Sequence, residues 1–178
     1  MKKAIALTAL MLAVSSNVFA QENKDKRGFG ISIGYSSFVS GDLDELDGAP
    51  FTIGGNYTLK NGVLIGFDFT PNLIDDSDSI YILGENIRGD IETSLFTPYI
   101  GLELENGLRV MGGVAFANSE ATLSSNHNSV SEDETTAGLM AGLGYVANNG
   151  LTVGGKLSFV DVGGFDGVVS SVSIGYKF

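Results

Sequence analysis

The chain has 178 residues, 10 Lys and Arg against 21 Asp and Glu, a formal charge of −11 at neutral pH, and neither cysteine nor tryptophan. Such acidity argues against nucleic-acid binding, which needs a basic footprint, and the missing cysteines exclude a disulfide scaffold. With 25 glycines and 3 prolines, the composition disfavours a helical domain and suits many short strands, and the length points to one domain.

In chain order, Lys2 and Lys3 precede an apolar run from Ala4 to Val14, and Val18-Phe19-Ala20 sets small residues at the −3 and −1 positions before Gln21. This is the pattern of a secretory signal peptide over residues 1–20, cleaved on export. The run is far too short for the ~20 residues of a spanning helix. Loss of Lys2 and Lys3 takes the formal charge from −11 to about −13. Residues 21–28 are then expected to form a short N-terminal segment and residues 29–178 the folded unit. An exported chain of this size without disulfides has to hold itself together by other means, and a closed sheet does so.

Period-two alternation follows. Phe29, Ile31, Ile33 and Tyr35 oppose Gly30, Ser32, Gly34 and Ser36; Phe51, Ile53, Tyr57 and Leu59 oppose Thr52, Gly54, Asn56 and Thr58. Val63, Ile65, Phe67 and Phe69 oppose Leu64, Gly66, Asp68 and Thr70, and Phe96, Ile100, Leu102 and Leu104 oppose Thr97, Tyr99, Gly101 and Glu103. Further on, Leu108, Val110, Val114 and Phe116 face away from Arg109, Met111, Gly113 and Ala115; Leu139, Leu143 and Tyr145 from Gly138, Met140, Gly142 and Gly144; Leu151, Val153, Leu157 and Phe159 from Thr152, Gly154, Lys156 and Ser158. Such alternation puts one set of side chains on each face of a strand.

Asn61-Gly62, Asn106-Gly107 and Asn149-Gly150 lie between these segments, 45 and 43 residues apart. Asn-Gly is the strongest short hairpin signal, since both residues tolerate positive φ. Three hairpins flanked by a first and a last strand predict eight antiparallel strands in an up-and-down meander. The long connections then fall at Ser40 to Ala49, Asn72 to Glu92, Asn118 to Thr135 and Asp161 to Gly167, and they hold nearly all the acid. Within the second, Ile80 to Leu83 and Ile87 to Ile91 read either as a hairpin continuing the barrel or as an apolar loop core.

Two features put the apolar face outside. The polar faces are mostly Gly, Ser and Thr, which suit a narrow lumen and would make a poorly solvated exterior. The apolar-face aromatics also collect at two heights, Tyr57, Tyr145, Tyr176 and Phe178 near the short turns and Phe51, Phe69, Phe96, Phe116 and Phe159 further along, as in the interfacial girdles of a transmembrane β-barrel. The final strand sets Val172, Ile174, Tyr176 and Phe178 on one side and Ser171, Ser173, Gly175 and Lys177 on the other, apolar through to its last residue.

On these residues the chain resembles the small outer-membrane β-barrels of Gram-negative bacteria, the OmpA-type, OmpX/Ail-like and opacity-type families. The resemblance implies an all-β, eight-stranded antiparallel barrel, Tyr176 and Phe178 as the signal read by the barrel-assembly machinery, outer-membrane lipid and lipopolysaccharide as surroundings, and a monomer. It also implies a non-enzymatic protein that serves envelope integrity or adhesion and host contact through extracellular loops, with no cofactor. A periplasmic peptidoglycan-binding domain is not expected.

The candidate site residues are the lumen charges. Counted outward from Asn106-Gly107, Glu103 and Arg109 are cross-strand neighbours on the inward face, placed for a charge-assisted pair. Asp68 and Lys156 lie at similar depth on the third and seventh strands. They read as a gate in a narrow, low-conductance channel or as a polar plug, and eight strands favour the plug because side chains just fill so narrow an interior. A lipid A-modifying enzyme is the remaining alternative: His127-Asn128-Ser129 has the His-x-Ser spacing of outer-membrane lipid A deacylases, with Glu132 or Glu134 to orient the histidine. Its setting in a polar loop departs from that pattern. Asp42-x-Asp44 and Asp75-Asp76-x-Asp78 lack the spaced ligands and glycine of an EF-hand loop and read as a solvated rim.

Overall fold

The computed structural model describes residues 27–40, 51–82, 85–125, 128–162 and 165–178. The leader, Asp42, Asp44 and His127 therefore lie outside the described residues. Eight strands, β1 (Gly28–Ser40), β2 (Phe51–Thr58), β3 (Val63–Ile82), β4 (Glu85–Glu103), β5 (Leu108–Ser124), β6 (Ser129–Val146), β7 (Leu151–Val162) and β8 (Phe165–Lys177), follow one another in space as they do in sequence. All neighbours are antiparallel, and β1 pairs with β8 to close the barrel.

The three short turns share one construction. Leu59, Leu104 and Ala147 each accept a hydrogen bond from the glycine three residues on, and Gly62, Gly107 and Gly150 take φ of 82°, 84° and 88°. Each asparagine accepts the N–H two residues on, at Val63, Leu108 and Leu151. These are three-residue loops with the glycine alone at the left-handed position of a bulge, not two-residue turns. The asparagine contributes a side-chain turn bond. The carbonyls of Gly62, Gly107 and Gly150 then accept the N–H of Glu103, Val146 and Lys177, tying each turn to the strand beside it.

Alternation along every strand sends apolar side chains out. Ile33, Ile53, Ile65, Ile100, Val110, Leu139, Leu157 and Ile174 are all exposed, Leu139 at 71%, while Gly, Ser, Thr, a few charged residues and a smaller apolar set including Leu64, Met111 and Met140 point in. A water-soluble sheet buries its apolar face; only a hydrocarbon solvent reverses this.

Of the segments expected as long connections, the first lies outside the described residues beyond Ser40, and the other three are mostly paired strand. β3 and β4 stay paired to Ile82 and Glu85, β5 and β6 to Ser124 and Ser129, and β7 and β8 to Val162 and Phe165. The Ile80–Ile91 segment is thus a hairpin. Strands of 20, 19, 17 and 18 residues for β3 to β6 are nearly twice the ~10 residues a tilted strand needs to cross a membrane, so half of this sheet stands above the barrel.

A bulge between Thr70 and Ile74 interrupts β3. Pro71 sits there, where a residue without an N–H does least harm. The extra residues let two consecutive side chains, Leu73 and Ile74, turn into the far mouth of the barrel and pack with Leu95, Ala115, Ala117, Val160 and Val169, Phe38 closing against them.

Candidate functional site

The lumen is filled in layers. Nearest the short turns, Glu103 is 7% exposed and its carboxylate accepts from Arg109 Nε at 3.1 Å, Arg109 Nη2 at 2.9 Å and Lys177 Nζ at 2.7 Å. Thr58 donates to it at 3.3 Å. Glu103 and Arg109 are opposed in the β4–β5 ladder, so their meeting is local. Lys177 comes from the last strand, 74 positions away. The turn carbonyls of Gly62 and Gly150 hold the backbones of Glu103 and Lys177, which fixes both side chains at one height.

One layer further in, Asp68 on β3 and Lys156 on β7 form an ion pair across the lumen. The ammonium lies 4.0 Å from the centre of the Tyr99 ring, a cation–π contact. Tyr99 belongs in turn to a buried cluster with Leu64, Met111 and Met140. Gly66 faces Tyr99 across β3 and β4, and a Cβ at Gly66 would come 2.6 Å from that ring. Its absence makes room for the ring. Gly66→Val is therefore expected to displace Tyr99 and lower stability by about 1–3 kcal/mol, read as the urea midpoint of refolded protein; an unchanged midpoint would show that the ring is not held there.

Above the pair, hydroxyls run across four strands: Ser171 and Ser36 share a bond of 2.7 Å, Ser36 and Thr52 one of 2.6 Å, and Thr52 and Thr70 one of 2.7 Å. The apolar layer around Leu73, Ile74 and Leu95 covers them. Sequence reasoning missed Lys177, Thr58 and Tyr99. Lys177 alone carried a signal, as an inward-facing cation at the same rim as Glu103.

Outside, Tyr57 is exposed and Tyr145 half-buried near the short turns, and Phe178 meets Tyr176 edge-on at 5.1 Å. Phe51, Phe96, Phe116 and Phe159 are exposed farther up and Phe69 is half-buried, with Phe69, Phe96 and Phe116 successive cross-strand partners. Beyond them the outward register brings Asp75, Glu92, Glu120 and Asp133 opposite one another in succession. Asp75-Asp76-x-Asp78 is split between the two faces of β3. Among the described residues no group of three or more His, Cys, Asp or Glu is arranged to hold a metal. Ser129 is exposed at the start of β6.

A closed sheet, apolar outside and charged within, is a transmembrane β-barrel. The chain matches the outer membrane protein beta-barrel domain over residues 6–178 and belongs to that family, which puts it in the outer membrane of a Gram-negative bacterium. Among solved structures it is similar to Ail, the attachment invasion locus protein of Yersinia pestis. The complex of Ail with the heparin analogue sucrose octasulfate gives a TM-score of 0.68 at 20% identity, covering 85% of this chain and 99% of that one. Ail alone gives 0.66 at 21% over the same shares. Among curated proteins none matches the chain.

Proposed function

We propose that the protein is a non-enzymatic outer-membrane surface protein, monomeric, whose acidic outer hairpins serve envelope integrity or adhesion and host contact. One observation carries this reading: the lumen is filled while the sheet continues well above it. Two ion-pair layers and an apolar layer occupy the interior, which leaves little for the narrow-channel alternative. Among the described residues the raised part of the sheet lies on β3 to β6, where Asp75, Asp76, Asp78, Asp90, Glu92, Glu120, Glu132, Asp133 and Glu134 stand against Arg88. The Ail complex with a heparin analogue supports the idea of an extracellular ligand on this fold. The acid here favours ligands of the opposite charge. The aromatics at two heights serve as girdles seated in lipid and lipopolysaccharide, and Tyr176 and Phe178 as the signal for the assembly machinery.

Replacing residues 75–92 and 118–135 by short Gly/Ser turns tests the reading. Loop closure is weakly length-dependent, ~0.6 kcal/mol per doubling, so insertion and thermal stability are expected to persist while adhesion and any protective effect on the cell are lost. Full activity in the shortened barrel, or a bilayer conductance abolished by Asp68→Asn with Lys156→Met, would overturn it in favour of the channel.

A further inference from the structure

Resting on the reading that the hairpins make the surface contact, we infer that the inner face of the raised β3–β6 sheet is a docking trough for a cationic amphipathic helix. Unbroken register above the β3 bulge continues the lumen-facing side upward, so that Asp76, Ile91, Ala121 and Glu132 form one cross-strand row and Asp78, Gly89, Leu123 and Val130 the next. Carboxylates thus line the β3 side, and Glu132 with Glu134 the β6 side. Between them lies an apolar floor of Ile91 on β4 and Ala121 and Leu123 on β5, which Val130 extends onto β6.

The floor is open. Ile91, Leu123 and Val130 are 42%, 62% and 63% exposed, and a concavity of about 340 Å³ runs along Asp76, Asp78, Gly89, Ile91, Ala121 and Leu123. Apolar groups left in water beyond the membrane are a surface awaiting a partner. Three strand spacings separate the acidic margins, about 14 Å, and a helix with its side chains is about 10–12 Å across. An apolar stripe on such a helix reaches the floor while lysines on its flanks reach both margins, the helix-in-groove mode of recognition.

Charge decides against the other occupants. A second copy would bring the same carboxylates face to face. The segment 41–50 carries Asp42, Asp44, Glu45 and Asp47, and anionic lipid headgroups carry the same sign, so neither complements the acidic margins.

The test uses the full-length mature protein in nanodiscs of zwitterionic phosphocholine lipid, with a labelled helical Leu/Lys peptide as probe. An oligolysine of equal charge and a Leu/Glu peptide serve as controls. Saturable binding of the Leu/Lys peptide alone is expected. Leu123→Ser with Val130→Ser, and separately Asp76→Asn with Asp78→Asn and Glu132→Gln, should each weaken it at least about tenfold. Asp75→Asn with Glu92→Gln and Asp133→Asn removes as much charge from the opposite face and should leave affinity within about twofold. Equal binding of oligolysine, or equal loss in the outward variant, would reduce the effect to unspecific charge attraction and overturn the proposal. So would a dimer dissolved by the serine variants, or binding that appears only after deletion of residues 41–50. If shortened hairpins abolish adhesion while the intact protein ignores the peptide, the surface reading stands and the trough falls.

Discussion

Glu103→Ala is expected to lower the stability of the folded barrel by about 3–5 kcal/mol, the range for removing one member of a buried ion pair, and by more than either Arg109→Ala or Lys177→Ala. The order follows from the contacts. Glu103 meets both cations, so its loss removes an ion pair from each, whereas loss of one cation leaves the carboxylate with the other. Urea unfolding in detergent micelles gives the comparison, with far-UV circular dichroism and gel mobility as parallel probes. Glu103→Gln with Arg109→Ala should cost less than the two single changes together; strict additivity would mean that the groups do not interact. An Arg109→Ala variant as unstable as Glu103→Ala would show that Lys177 does not share the carboxylate.

The second large effect concerns the deeper pair. Lys156→Ala leaves the buried Asp68 carboxylate without its ion-pair partner, and a loss of about 3–5 kcal/mol is again expected. Replacing both, Asp68→Leu with Lys156→Met, should return stability to the starting value or above it. Desolvation of two ions commonly offsets their attraction when apolar groups of similar size can take their place. Tyr99 bears on the outcome, because its ring also contacts the ammonium and would meet a methionine thioether nearly as well. The measurement is the urea midpoint with the slope held constant. If the double variant is as unstable as Lys156→Ala, the pair contributes net attraction and is more than a filler of the lumen.

Much of the barrel was legible in the sequence because its signals are local. Three Asn-Gly pairs set the turns, and period two from each turn assigns every residue of the adjoining strands to one face. Counting from Asn106-Gly107 alone puts Glu103 and Arg109 opposite one another. The direction of the faces was legible too, since Gly, Ser and Thr make a serviceable lumen and a poor exterior. The extent of β3 to β6 was not. Above the membrane both faces of the sheet meet water, so segments such as Asp75 to Asp78 and Ser129 to Glu134 carry no apolar alternation and read as loops. Nor did the sequence assign the contacts across the lumen. Glu103 with Lys177, Lys156 over Tyr99, and Leu73 turned inward beside Ile74 depend on the stagger of the closed sheet and on the bulge at Pro71. Stagger is a property of all eight strands at once. The turns and faces were therefore determined by the sequence itself, while the partners inside the barrel were decided by closure, and the face of the sheet above it by the register beyond the β3 bulge.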